Sequence, residues 1–275
     1  MQETIKPLDR NRLSVLMAML LLSSVIFHLI KLPGQTWRMN LLGSPLEIHV
    51  TGTWLLGALM VGLVCTGTNL ILHGHPHLGK HEGRPIYVSW ILPGIMAGFS
   101  TYLLSWAPTE PIWMGVLFVV GIAIAMTVSA EYGAFCSDVP GYPTARLALN
   151  MLAYLLGFLL FTLIYQTRGR SLITATLILF ISFLLSFDLL SVAEVATRRV
   201  LVYAGTVALI LGESTWALNY WQVSAWAGGL LLLLIFYILV NIANQHLLER
   251  LKTSNLLEFA AVAVLVLVVI LMRTL

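Results

Sequence analysis

The stretch IWMGVLFVVGIAIAMTVSAE, from Ile112 to Glu131, decides the fold class. It holds no charged side chain before Glu131. A helix rises about 1.5 Å per residue, so a run of this length is about 30 Å long. That matches the roughly 30 Å hydrocarbon thickness of a bilayer. A membrane β-strand would be about half as long and would alternate apolar with polar residues. The run does neither and reads as a spanning helix.

Working outward, eight more blocks share this character: 13–31, 52–73, 87–106, 146–166, 171–190, 199–221, 223–246 and 256–274. Turn signals separate them, among them Pro108 with Pro111, Pro140-Gly141-Tyr142-Pro143, and Thr167-Arg168-Gly169-Arg170. The expected fold is all-α, a polytopic transmembrane helical bundle of nine helices, with eight as the runner-up. Residues 1–275 are expected to form a single integral membrane domain.

Composition agrees. The chain is 59% hydrophobic and 10% charged, against roughly 25% charged residues in soluble domains. Too few charges remain to build a water-facing surface. The blocks also leave no interval long enough for a separate globular core.

The net charge of +3 does not point to nucleic acid. The bases sit at block ends rather than in one patch, as the positive-inside rule describes. With the N-terminus placed in the cytoplasm, the inner segments hold Lys6, Arg10, Arg12, Lys80, Arg84, Arg146, Arg198, Arg199, Arg250 and Lys252. The outer segments hold only Lys31, Arg38, Arg168, Arg170 and Arg273. The N-terminus is therefore expected inside. The run after Arg12 imitates a secretory leader, but it ends at Lys31 without a small-residue cleavage site, so a retained first helix is expected. Trp37, Trp54, Trp106, Trp113, Trp216, Trp221 and Trp226 all fall toward the outer side, where indoles favour the headgroup region. A prokaryotic inner membrane is the default location. Cys65 and Cys136 form no CxxC motif, and no structural disulfide is expected.

Two inter-block segments are unusual. In 32–51, Leu46, Ile48 and Val50 alternate with Glu47 and His49, which suits a short strand or an interfacial segment. The segment after the second block holds His73, His75, His77 and His81. Imidazole is the commonest metal ligand, so these four are metal-ligand candidates. Their spacing matches no standard zinc site. A solvated loop, or headgroup contacts aided by Lys80 and Arg84, are the alternatives.

Charges inside a bilayer cost roughly 2.5–3.5 kcal/mol each on insertion scales, so they signal function or a partner. Glu213 stands about 21 Å along its helix from Arg199, within the outer half of the bilayer. His28 lies at similar depth, and a Glu213–His28 pair would suit a proton relay or cation site. Asp188, Ser191, Glu194 or Val195, and Arg198 share one helical face if the sixth helix runs on past the bilayer, where Glu194 and Arg198 can pair. Glu131, Asn150, Asp188 and Asn241 fall, with other polar residues, at the cytoplasmic helix ends, which suggests an inward-facing vestibule. Pro93 is expected to kink the third helix, while Gly94, Gly98, Gly228 and Gly229 allow close helix crossings.

Three function classes follow. The first is a transporter or carrier of a small molecule, ion or lipid, with Glu213 and His28 coupling or recognising cargo. The second is an intramembrane enzyme acting on a lipid at the cytoplasmic face, through Asp188, Glu131 and the histidines. The third is a non-catalytic membrane subunit or assembly factor. The expected partners are the lipid bilayer, a lipid or small-molecule ligand, and another membrane protein. No cofactor is indicated, and motifs for nucleotide, dinucleotide or zinc-protease chemistry are missing from the sequence.

Overall fold

The structure is a computed structural model. It describes residues 9–30, 34–41, 44–74, 85–135, 141–167, 171–193, 196–221 and 223–249. Its helices are α1 (Arg10–Leu29), α2 (Gly52–Leu72), α3 (Ile91–Ser105), α4 (Glu110–Gly133), α5 (Tyr142–Gln166), α6 (Ser171–Leu190), α7 (Thr197–Tyr220) and α8 (Ala225–Leu247). Strands β1 (Gln35–Leu41) and β2 (Ser44–Val50) form an antiparallel hairpin between α1 and α2. Short 3-10 turns, Ile86–Trp90 and Ser191–Ala193, precede α3 and follow α6.

Among the described residues, eight helical segments are long and apolar enough to cross a membrane. Their exposed faces are apolar too: Met114, Phe118, Val119 and Met126 of α4 are all more than half exposed. Such a surface suits lipid tails rather than water. The protein is an integral membrane protein. The ninth expected block, 256–274, lies outside the described residues.

Local signals set the helix ends. Asp9 caps α1, its carboxylate accepting from the amides of Asn11 and Arg12 at 3.1 and 3.4 Å. Thr109-Glu110-Pro111 starts α4, with an acidic residue in the first turn and proline where a missing N–H costs nothing. Arg12 donates to the carbonyl of Leu70 at 2.7 Å, satisfying one of the carbonyls orphaned at the end of α2.

Pro93 does not fall in an α-helix interior, where the kink was expected. The expected third helix begins instead as a 3-10 turn, and α3 starts at Ile91. Pro93 therefore sits in the first α-turn, where its missing N–H and fixed φ are tolerated. Nor does α6 run on to Arg198. It ends at Leu190, so Asp188 and Arg198 do not share one continuous helical face. Glu194 lies outside the described residues.

The strand expectation for 46–50 holds, and β1 supplies its partner. The register sets Trp37 opposite Ile48 and Met39 opposite Leu46, while Arg38 faces Glu47 and Thr36 faces His49. In these four central pairs like stands opposite like, while the outer pairs Gln35–Val50, Asn40–Pro45 and Leu41–Ser44 are mixed.

The chain's contacts fall into two compact units. The first takes in α1 to α4 with the hairpin, and the second takes in α6 to α8 with most of α5. In the first unit, α2 packs on α1 and α3, and α4 packs on α1 and α3. Leu16, Leu20, Met60, Val64, Ala97, Ile124 and Val128 form its core. The α2–α3 seam is close because small residues line it. A Cβ on Gly94 would come 3.2 Å from the Cys65 sulfur, and one on Gly57 would come 3.3 Å from the Thr101 hydroxyl. In the second unit α7 packs on α6 and α8. Gly228 and Gly229 let α8 cross α5 closely, as their small size implied. Tyr165 of α5 is buried there, and its hydroxyl donates to the Leu218 carbonyl near the end of α7 at 2.7 Å.

Candidate functional site

The first unit holds a cavity of about 290 Å³ where the end of α1, the start of α2, the end of α3 and the start of α4 converge. Ser24, Phe27 and His28 of α1, Thr51 and Thr53, Thr101 and Ser105 of α3, and Trp113 of α4 contribute to its lining.

His28 is its ionisable member. It lies in the last turn of α1, and its Nε2 meets the two carboxylate oxygens of Glu110 at 3.2 and 2.9 Å. With the proton on Nε2, the imidazole donates and the carboxylate accepts. A second proton, on Nδ1, makes the contact an ion pair. The ring also stacks on Trp113, with centroids 4.1 Å apart and planes inclined by 29°. His28 is half-buried and lines the cavity, while Glu110 is exposed and reaches it through His28.

Three of the lining hydroxyls already donate their protons to backbone carbonyls. Ser24 donates to the Leu20 carbonyl, Thr101 to Gly98, and Ser105 to Tyr102. A hydroxyl keeps two acceptor lone pairs when it donates. These side chains therefore offer acceptors to an occupant. Another wall is the amino end of α2, whose Thr51 makes no side-chain cap. Its first amides offer donors. Phe27, Leu56, Leu104 and Trp113 supply the apolar remainder. Sites for small molecules combine these ingredients, an apolar lining with a few convergent polar groups.

The structure gives His28 a carboxylate, but not the one expected. Its partner is Glu110, while Glu213 lies on the exposed face of α7 between the exposed Leu209 and Trp216. In the sequence, residues 108–111 read only as a turn. The Thr-Glu-Pro helix-start pattern was the signal that could have found Glu110. Trp113, expected in the headgroup belt, is 8% exposed and packed under His28. Trp54, Trp106, Trp216, Trp221 and Trp226 are exposed, and the side chain of Trp37 lies outside those described.

The vestibule residues divide between the units. Glu131 is fully buried in α4 of the first unit. Asn150, Asp188 and Asn241 belong to the second. There Asp188 is 1% exposed. Asn241 donates to the Tyr237 carbonyl at 2.7 Å and approaches the Tyr154 hydroxyl at 3.4 Å. The buried Oδ1 of Asn150, one turn before Tyr154 on α5, has no hydrogen-bond partner among the described residues. Of the histidine candidates, His73 is exposed at the end of α2, with Nδ1 2.8 Å from the Asn69 carbonyl. His75, His77 and His81 lie outside the described residues, so the metal expectation falls largely there.

No curated protein and no solved structure matches the chain. The chain belongs to the family described as "Protein of unknown function (DUF5656)", which matches residues 32–273 and so takes in Glu110 and Trp113 while starting just after His28.

Proposed function

We propose that the protein is a membrane carrier for a small polar solute, held in the cavity of the first unit. The observation that carries this reading is the His28–Glu110 pair at a polar cavity where four membrane-spanning segments converge. Ionisable groups in membrane spans mark solute pathways and proton relays more often than packing roles. The hydroxyl lone pairs and the Glu110 carboxylate favour the donor groups of a solute, such as amines and hydroxyls. The α2 amides favour an acid group. Small solutes that carry both rank first.

We place the N-terminus in the cytoplasm of a prokaryotic cell, with the cavity facing outward. The support is the excess of lysine and arginine on the inner side of the chain. Glu213 and the vestibule residues are not needed in this reading.

The test is uptake into proteoliposomes of a panel of amines, polyols and amino acids. Wild-type protein is expected to take up at least one class above the level of empty liposomes. Ser105→Trp, which fills the cavity from α3, is expected to remove that uptake without loss of folded protein. No uptake by wild type across the panel, or full uptake by Ser105→Trp, would overturn the proposal.

A further inference from the structure

The second unit has a larger cavity of about 640 Å³, separate from the proposed solute site and built from different chemistry. Its lining residues are Arg198, Arg199, Val202 and Tyr203 at the start of α7, and His246, Leu247 and Glu249 at the end of α8. Both arginines are exposed, and among the described residues neither forms an ion pair. The Tyr203 and His246 rings lie 5.7 Å apart. Among the described lining residues, two guanidinium groups and one carboxylate leave one net positive charge.

Placement at the start of α7 makes the charge unusual. Acidic residues are favoured at a helix start, because the helix dipole is positive there. The first turn of α7 has none, and Ala196 supplies no side-chain cap. Arginines at this position therefore add to an existing positive field. An anion would relieve both at once, with guanidinium forks and helix amides donating to the same oxygens. The cavity lies at the start of α7 and the end of α8, both long and apolar enough to span a membrane, and a lipid head group belongs at such span ends. Exposed apolar residues continue from it along α7, Leu201 and Val202 among them.

We infer that this cavity binds the head group of a glycerophospholipid. Arg198 and Arg199 hold the phosphodiester, whose single negative charge matches the net charge of the lining. The acyl chains follow Leu201 and Val202. Glu249 is the discriminating group. A carboxylate beside a phosphate is repulsive unless the ligand brings a donor to it. The preferred lipid therefore carries a donor beyond the phosphate, as the hydroxyls of phosphatidylglycerol or the ammonium of phosphatidylethanolamine do. Phosphatidylcholine has no such donor.

The experiment is native mass spectrometry of the full-length protein in detergent, titrated separately with phosphatidylglycerol, phosphatidylethanolamine and phosphatidylcholine. Wild type is expected to retain one molecule of either donor-bearing lipid and to hold phosphatidylcholine several-fold less. Arg198→Gln/Arg199→Gln is expected to weaken the two donor-bearing lipids by at least about tenfold, the loss of charge-assisted bonds to phosphate. Glu249→Gln, on the opposite rim, is expected to keep binding but shrink the preference over phosphatidylcholine. Equal lipid retention by the double arginine variant would overturn the site. Equal binding of phosphatidylcholine by wild type would overturn the role of Glu249. Displacement of bound lipid by millimolar inorganic phosphate would show free phosphate to be the ligand, and so overturn the lipid assignment.

Discussion

Gly229→Leu is expected to leave almost no folded protein recoverable in detergent. A Cβ at position 229 would sit 2.8 Å from the Cα of Thr162, and closer still to its hydroxyl. Backbone stands in the way, so no rotamer change of a flexible side chain makes room. At Gly228 the obstacle is the Tyr165 ring, 2.6 Å from the added atom. That ring is held by the hydrogen bond of its hydroxyl to Leu218. Forcing larger groups into a packed contact costs about 1–3 kcal/mol, and more where backbone must move. Gly229→Ala is the milder version and should lower the melting temperature measurably. Gly205→Ala is the control, since a Cβ there meets nothing within 4 Å. It should be neutral or slightly stabilising, because alanine is the better helix former. Thermal unfolding by circular dichroism checks all three.

His28→Ala is expected to reduce solute uptake by at least about tenfold, the equivalent of one hydrogen bond to a charged group. Folded protein should remain abundant, because the pair is partly exposed and such pairs contribute about 0–1 kcal/mol to stability. Glu110→Gln should reduce uptake in parallel, since it leaves the imidazole a weaker acceptor. The third variant is Glu213→Gln, which sequence reading alone would expect to abolish transport. With Glu213 on the exposed face of α7, this variant should transport as wild type does. Uptake retained in His28→Ala and lost in Glu213→Gln would return the coupling role to α7.

These two predictions show what was legible and what was not. Spanning segments were legible because twenty apolar residues in a row admit few other structures. The close crossing at Gly228 and Gly229 was legible too, because a missing side chain on a packed helix has few other uses. Helix ends were less so. Pro93 reads as a kink only if the helix is assumed to start before it, and the 3-10 turn at Ile86–Trp90 moves the start. The break at Leu190 likewise undid the face drawn from Asp188 to Arg198. Partners across helices were the least legible. His28 and Glu110 are separated by 82 positions, and nothing in their order along the chain says that α1 and α4 meet. Depth alone suggested Glu213, but depth gives no rotation about the helix axis. The strand at Ser44–Val50 was visible in its alternation, whereas its partner β1 followed only from the pairing.

The account rests on α2 crossing the membrane with the His28 cavity at its outer end. The direct measurement is labelling of single cysteines by a membrane-impermeant maleimide, in protein whose Cys65 and Cys136 are replaced by serine. One cysteine replaces Ser105, at the cavity, and the other replaces His73, at the far end of α2. The account predicts that position 105 is labelled in intact cells and position 73 only after lysis. Labelling of position 73 in intact cells would contradict it.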